Sequence, residues 1–517
     1  MALLSMTALV GLLALLTPLA ADGFFYPLGG WPAELGIGLR ADGLNLWLLW
    51  LGAAVNGAVG LYAWRYFAPR HYFYPLWLLL WAAYNGALLS ADLFNIYVNL
   101  ELLGLAAVCL AALDGKSDAR RAALRYLLLN LFGSLTFLLG VVLIYRQHGS
   151  LGLAIFQQPG LDDPLMKLSL ALLGLGLIIK SALFPLHGWL PPAHAQATAP
   201  ASALLSALVI KVSLYLQLRI WLPAAADGDI FAILFQFFGL LGAAAIFWGS
   251  LQALRCASLK ELIAYSSVAQ MGYFFLAFPL FTGPTPEIAI LGLLFLLAAH
   301  ALAKAAFFLA AGTTAKAGDG SLPHGRLAIA DLAGLSRRRP LTAITMALSV
   351  VSLMGMPPSG GFVGKWYLLQ AAMAGAQWWL VAVLLSGSLL GVAYLLRPVA
   401  ATFTRRETAI SAGPVESRTV LWALELPPLA LALAAILLGL FPGVAAWSIP
   451  GGGLAGPDGL GPAGRRTMNR SSKPADHQRL AAGGHPLSSF IVGIIIFFLR
   501  EESVGWRTAL NLGAAPG

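Results

Sequence analysis

The sequence predicts an all-α polytopic membrane protein of about 13 transmembrane helices. Three observations predict it. Of 517 residues, 59% are hydrophobic and only 10% are charged, against roughly 25% charged in soluble domains. Apolar runs of about 20 residues, long enough to cross a hydrocarbon core, recur along the whole chain. The basic residues collect in alternate short connections between those runs. That distribution accounts for the net charge of +10 without nucleic acid as a partner.

Taken in order, residues 1–20 are apolar but lack a basic leading segment, so they read as a retained span rather than a signal peptide. A loop containing GGWPAELG (29–36) follows. Further spans are expected at about 43–64, 73–90, 92–112, 122–145 and 165–198, the last broken by prolines. More follow at about 201–221, 230–250, 260–280, 287–313, 340–375 (broken again), 378–402 and 419–446. With these bounds Arg65 and Arg70, Lys116 to Arg125, Arg255 and Lys260, Lys316 to Arg339, and Arg405 to Arg418 all fall in loops on one side. The opposite loops carry Arg40, Arg146 and Arg219. The basic side, and the N-terminus with it, is therefore expected in the cytoplasm, with the chain in the cell (inner) membrane. Beyond residue 446 the composition changes. Residues 450–487 are rich in Gly, Pro and Arg and read as a disordered tail, and FIVGIIIFFL (490–499) is too short to span. The expected organisation is a transmembrane domain over 1–446 and a tail over 447–517.

Redox and nucleotide chemistry find no support. The two cysteines, Cys109 and Cys256, have no paired spacing, which excludes a disulfide framework and any iron–sulfur or zinc site built on cysteine. No nucleotide-binding glycine motif follows a strand, and the glycines lie within apolar helices, where close packing explains them. No cofactor is expected.

The chemistry is expected at ionisable residues inside the apolar runs, since such residues are costly in hydrocarbon and by default mark function. They are Glu101, Lys180, Lys211, His300, Lys304 and Lys365, with His187 and His194 beside the first helix break and Asp92 at a helix end. Glu101 reads as a relay carboxylate balanced by a lysine, with a packing ion pair as the bland alternative. Pro185 cannot donate to the carbonyl of Ser181, so the backbone opens next to Lys180. A lysine there can lose and regain a proton, and a carboxylate moving nearer or further would load or unload it. His187 and His194 lack a third histidine or a carboxylate nearby, so relay or structural hydrogen bonding is expected of them rather than metal binding. His300 and Lys304 share a helix face, and two adjacent cationic groups repel unless one is neutral, which suits a proton chain. Lys365 follows MPPSGGFVG (356–364) and is expected at the start of a half-helix, an end that disfavours a cation. Two lysines beside two broken spans, five spans apart, are the sequence pointer to an inverted repeat with ion sites near the midplane.

These same residues carry a resemblance. DLFNIYVNLE (92–101), Lys180 with FPLHGWLP and His194, APASALLSALVIK (199–211), YSSVAQMGY (265–273), HALAKAAFFLAAG from His300, and PPSGGFVGK ending at Lys365 make the chain similar to the antiporter-like, proton-conducting membrane subunits. That family includes the D subunit of Mrp-type Na+/H+ antiporters and the pumping subunits of respiratory complex I and membrane-bound hydrogenases. The likeness covers about residues 25–405 and is nearest to the Mrp D subunit at GGWPAELGI, DLFNIYVNLE and PPSGGFVGK, while the histidines of FPLHGWLPPAH resemble the complex I members more. It implies a 14-helix fold with two inverted five-helix repeats, here about 73–222 and 230–403, and a hydrated chain across the midplane. In it Glu101 matches the key glutamate, Lys180 its paired lysine and Lys211 the central lysine. His300 and Lys304 match the connecting pair and Lys365 the exit-side lysine. One span rather than two precedes GGWPAELGI, so the first family helix is expected to be missing.

The expectation is thus a membrane subunit without a redox centre of its own. It moves H+ coupled to Na+ or another monovalent cation, beside other membrane subunits in a hetero-oligomer embedded in the lipid bilayer. The related alternative is a proton-pumping subunit of a complex I-like NADH:quinone oxidoreductase or hydrogenase. Further alternatives are a quinone-contacting subunit and a purely structural scaffold.

Overall fold

The structure, a computed structural model, describes residues 24–30, 36–68, 71–157, 163–224, 229–316, 327–404 and 418–441. The expected first span, 1–20, and the tail, 447–517, lie outside the described residues. Each expected span from residue 43 onward is met by a helix. These are α1 (Gly43–Tyr66), α2 (Phe73–Leu89), α3 (Leu93–Ala112), α4 (Ser117–His148), α5 (Pro164–Lys180) and α6 (Leu190–Gln196). Next come α7 (Ala199–Leu204), a π-helical stretch (Leu205–Val209), α8 (Ile210–Ala224), α9 (Asp229–Arg255), α10 (Leu259–Phe275) and α11 (Pro286–Lys316). The series ends with α12 (Pro340–Met354), α13 (Gly360–Ala374), α14 (Trp378–Phe403) and α15 (Arg418–Leu440). Ahead of α1 a short antiparallel ribbon, β1 (Phe24–Pro27) with β2 (Gly38–Ala41), pairs Phe24 with Ala41 and Pro27 with Gly38.

Side-chain caps set several helix starts by satisfying orphan N–H groups. Asp42 and Asn45 exchange side-chain bonds to each other's backbone N–H at 3.2 and 2.8 Å, starting α1. Asp92 accepts from the Asn95 N–H at 2.7 Å and starts α3, in keeping with its expected place at a helix end. Asp163 accepts from Leu165 at 2.9 Å, with Pro164 in the first helical position of α5.

The two broken spans end their first halves in the same way. After α5, Leu183 N–H reaches back to Ile178 O and Ala182 N–H to Ile179 O, with Ala182 at φ 53°. After α12, Met356 N–H reaches Val351 O and Gly355 N–H reaches Ser352 O, with Gly355 at φ 77°. Each is a Schellman end, a left-handed residue closing the last turn. The two interruptions occupy the fourth place in two runs of five spans. In each run the third span is the long one, α4 at 32 residues and α11 at 31. Each broken span also crosses that long helix at paired glycines. A Cβ at Gly176 of α5 would sit 2.6 Å from the Gly133 carbonyl of α4, and one at Gly364 of α13 would sit 2.8 Å from the Gly292 carbonyl of α11. Only glycine lets backbones approach this closely.

The loops join in two sets, and each set matches one side of the expected topology. Lys316 Nζ donates to the carbonyls of Arg65 and Tyr66, Leu259 N–H to Leu327 O, and Gly334 N–H to Thr404 O, all on the basic side. On the other, Ala91 N–H meets Gly38 O, Leu93 N–H meets Leu151 O and Gln236 meets Gln377. Several residues expected in loops lie at helix ends instead, and two of them are drawn inward. Arg219 lies within α8, donating to Asp42 and, at 2.8 Å, to the Tyr215 hydroxyl. Lys260 lies in the first turn of α10 and is only 6% exposed.

Burial separates an inner from an outer set of spans. The best-enclosed windows belong to 199–223 (100% buried), 259–282 (94%) and 286–316 (83%), whereas α4 and α14 bury 39%. The outer pair turns Leu128, Phe132, Leu135 and Leu139 of α4 and Leu385 and Leu389 of α14 outward, as suits lipid or a neighbouring subunit. This is a multi-pass membrane fold.

The glycine crossings give a direct test. Gly176→Ala and Gly364→Ala are expected to destabilise the assembled protein by about 1–3 kcal/mol through overpacking. Gly391→Ala, where an added Cβ meets nothing within 4 Å, is expected to be neutral. Thermal unfolding of the purified complex checks this; equal melting temperatures for all three would remove the packing role.

Candidate ion pathway

The structure brings Glu101 and Lys180 together. Lys180 ends α5, and its Nζ donates to Glu101 Oε1 at 3.3 Å and to Asn130 Oδ1 at 2.9 Å. Ser134, one turn after Asn130 on α4, donates its hydroxyl to the same carboxylate. Gly104 makes room for this, because a Cβ there would strike the Asn130 amide. The lysine side chain is 4% exposed and the glutamate 20%. The pair is thus a largely buried ion pair that the neutral side chains of Asn130 and Ser134 also contact, which helps such pairs to be tolerated.

Past Lys180 the chain is non-helical until Leu190. Trp189 Nε1 donates to the Ile179 carbonyl at 3.0 Å in the last turn of α5. His187 lies in this break with its ring stacked on Phe184 at 5.5 Å and edge-on to Trp248. His194 lies on α6, fully buried, edge-on to Phe308 at 5.9 Å. The break separates the two histidines onto different segments, so the shared face that an unbroken helix would give them does not form.

At the centre, the π-helical turn 205–209 takes the place of regular helix. A π turn takes carbonyls out of the regular ladder, and Lys211 Nζ donates to the Ser206 carbonyl. Ser206 Oγ meets Ser267 Oγ of α10 at 3.0 Å, and Ser267 Oγ donates to Ile263 O at 3.2 Å. Lys304 of α11 donates to the same carbonyl at 2.6 Å and to the Ser266 hydroxyl. Lys211 and Lys304 therefore reach the same cluster from two sides, Lys211 at the Ser206 carbonyl and Lys304 at the Ile263 carbonyl, with the Ser206–Ser267 hydroxyl contact between them. His300 stands one turn before Lys304, edge-on to Phe274 at 5.4 Å. His194 interacts electrostatically with Lys211, Lys260 and Lys304, and His300 with Lys211, Lys304 and His194. Among the described residues both ring nitrogens of His300 are buried without a hydrogen-bond partner, and His194 has only a loose approach to the backbone of Leu190. An imidazole carries one donor and one acceptor to satisfy, which makes these rings sites for water or an exchanging proton.

Lys365 occupies the second break, in an environment that differs from the expected one. Ser359, not Lys365, caps α13, accepting from the Phe362 N–H at 3.2 Å. The Lys365 amine turns back to the Met354 carbonyl at 3.0 Å and to Ser388 Oγ of α14 at 3.2 Å, and lies 4.3 Å from the centre of the Tyr273 ring. It therefore faces the carbonyl end of α12, which favours a cation, rather than a helix N-terminus. The reason is its place in the second turn, from which the long side chain reaches across the Schellman turn.

The structure adds residues that sequence reasoning missed. Lys260 donates to the Ala197 carbonyl, in the gap between α6 and α7. Its place at the very edge of the expected span hides it. Asn130, Ser134, Ser206, Ser266 and Ser267 link the charged groups, and their one signal is a polar residue in an apolar run. Among the described residues no group of three or more His, Cys, Asp or Glu side chains could hold a metal ion.

Residues 90–391 match the family described as NADH:quinone oxidoreductase/Mrp antiporter, TM. The chain is 37% identical to the N subunit of an NADH-quinone oxidoreductase from Desulforudis audaxviator over 434 residues, covering 80% of this chain and 84% of the relative. It is 30% identical to the D subunit of a Na(+)/H(+) antiporter from Alkalihalophilus pseudofirmus, covering 74% and 78%. Among solved structures, a chain of the Mrp complex from Dietzia sp. superposes with a TM-score of 0.77 at 26% identity, covering 86% of this chain and 90% of that one. A chain of respiratory complex I from Thermus thermophilus with bound aureothin gives 0.67 at 27%, covering 85% and 91%. The chain belongs to the NADH:quinone oxidoreductase/Mrp antiporter transmembrane family.

Proposed function

We propose that this chain is the proton-translocating membrane subunit of a multisubunit monovalent cation (Na+)/H+ antiporter. The observation that carries the reading is the series of enclosed protonatable groups, Glu101–Lys180, Lys211–Lys304 with His194 and His300, then Lys365, strung between two broken helices. Each ammonium has acceptors that can hold it charged, and Lys180, Lys211 and Lys304 neighbour a carboxylate or an imidazole that can take or give a proton. Water at the ring nitrogens of His194 and His300 completes a relay in which Glu101 and Lys180 form the entrance and Lys365 the exit. Lys260, beside the Ala197 carbonyl, joins the central group. His187, held between Phe184 and Trp248, contributes to packing of the break.

The two halves, about 73–222 and 230–403, act as inverted repeats. The two Schellman ends, the two glycine crossings and the odd, five-span offset from one broken span to the other support this. The subunit works without a redox centre of its own, within an assembly of other membrane subunits, in the cell membrane with its basic loops in the cytoplasm. The likeness to an Mrp-complex chain over 86% of this chain supports that setting.

A second reading is a proton-pumping subunit of a complex I-like oxidoreductase. The specific observation in its favour is the 37% identity to an oxidoreductase N subunit, against 30% to an antiporter D subunit. Purification through a tag on this chain separates the two. Co-purifying small membrane subunits support the antiporter; soluble iron–sulfur subunits support the second reading.

Substitutions at two residues test the relay in everted vesicles carrying the whole complex, read as cation-dependent pH change. Glu101→Gln is expected to lower proton-coupled transport about tenfold or more with assembly intact; unchanged transport would reduce the pair to scaffolding. Lys365→Ala and Lys365→Arg are both expected to abolish it, since arginine keeps its proton. Wild-type transport by the arginine variant would overturn a titrating role for Lys365.

A further inference from the structure

On the side away from the basic loops, α8 carries a second polar row. Lys211, Tyr215 and Arg219 are spaced four apart, so they lie along one face of the helix. Exposure rises along that row, from 2% at Lys211 and Tyr215 to 16% for the Arg219 side chain. It reaches 46% at the neighbouring guanidinium, Arg40. The row therefore runs from the central group towards water. Arg219 stands eight residues beyond Lys211 on α8, about 12 Å along its axis.

The Arg219 guanidinium is fixed on two sides. Its Nη2 donates to Asp42 Oδ1 and its Nε to the Tyr215 hydroxyl, the latter at 2.8 Å. That hydroxyl directs its own proton to the Leu88 carbonyl of α2 at 2.8 Å. Asp42 Oδ1 also accepts from the Asn45 N–H at 3.2 Å, and Asp42 Oδ2 lies 3.5 Å from Arg40 Nε. Asn45 Nδ2 donates in turn to the carbonyls of Arg40 at 2.6 Å and Leu88 at 3.3 Å. One carboxylate is thus set between two guanidiniums where β2, α1, α2 and α8 meet.

We propose that Arg219 is an electrostatic barrier that closes the central group against the Arg40 side of the membrane, with Asp42 and Tyr215 as its positioning residues. The proposal rests on the relay reading in one respect, that protons occupy the central group. The row is built to stop a proton rather than to pass one. Lys211 directs its amine back to the Ser206 carbonyl, in the N-terminal direction that helical side chains favour. The Tyr215 proton is committed to Leu88, and a guanidinium keeps its proton. Asp42 is the one group in the cluster that could take a proton, and it sits between the two guanidiniums. Two fixed positive charges against one negative leave the cluster net positive. An arginine in a narrow, poorly hydrated passage repels protons and metal cations alike. A proton at Lys211 is then left the way through Lys365, and it does not slip along α8 to dissipate the gradient.

The test is the passive proton conductance of the whole complex in proteoliposomes, read as decay of an imposed pH gradient without Na+. Asp42→Asn removes the carboxylate but keeps the Arg219 charge and a good cap for α1. Asp42→Asn combined with Arg219→Gln removes the barrier without leaving a broken ion pair. Wild type and Asp42→Asn are expected to hold the gradient. The double variant is expected to lose it about tenfold faster, the effect of one charge at about 12 Å in a protein interior. Adding Lys211→Ala to the double variant is expected to restore tightness, because the leak passes through the central amine. A double variant as tight as wild type overturns the proposal. Equal leak in Asp42→Asn overturns it too, since the pair would then be a mechanical clamp. So does a leak that survives Lys211→Ala. If the double variant fails to assemble, Arg219→Gln alone decides by the same comparison. The relay reading fails separately, when Glu101→Gln leaves Na+-coupled transport unchanged, and that result would leave the leak comparison standing.

Discussion

An amine placed in hydrocarbon must be given acceptors, and the rest of this structure follows from that requirement. A regular helix has none to offer, since its carbonyls are already engaged. The chain supplies them by interrupting its own helices. Lys211 uses a carbonyl of the π turn, Lys260 the carbonyl of Ala197 between two short helices, and Lys365 the carbonyl at the end of α12. Lys304 departs from this pattern, sharing the Ile263 carbonyl of the unbroken α10 with the Ser266 and Ser267 hydroxyls. Lys180 takes no carbonyl in this way, which explains the carboxylate, because its partners are the side chains of Glu101 and Asn130. Prolines, glycines and serines that look unsuited to membrane spans are therefore the solvation shell of the lysines.

The enclosure is graded to match. The helices that hold the central groups are the best-buried ones, while Glu101, on α3, keeps a fifth of its side chain exposed. The glycine crossings at Gly133–Gly176 and Gly292–Gly364 clamp each broken span to a long unbroken neighbour. An opened backbone is then held in place by a straight rod. This is how a locally unpaired segment survives at membrane depth without lipid reaching its free groups.

The fold is legible in the sequence wherever cost is legible. Apolar runs mark the spans from residue 43 onward, and a lysine inside such a run is conspicuous. That is why Glu101, Lys180, Lys211, His300, Lys304 and Lys365 stand out with no knowledge of their neighbours. Neutral polar residues carry no such mark. Asn130 and Ser134 read as ordinary members of a long helix, and their role depends on which face of α4 meets α5. Lys260 and Arg219 read as loop residues because charge near a span boundary is equally consistent with the water side. The surroundings of Lys365 depart from expectation for a further reason. Position along a helix gives the location of the Cα, but four methylenes carry the amine across the turn to the opposite helix end.

The two Schellman turns have a thermodynamic consequence. Lys180 ends one half-helix, and the Lys365 amine rests on the end of the other, so both charges sit in the negative field at a terminated row of peptide dipoles. The Glu101 carboxylate deepens the first well, and among the described residues no carboxylate pairs with Lys365. In the proposed relay the chain returns to its starting state after each proton, so over a full cycle it adds no net free energy of its own. The proton's direction of travel is then imposed from outside, by about 1.4 kcal/mol for each unit of pH difference and about 2.3 kcal/mol for each 100 mV across the membrane.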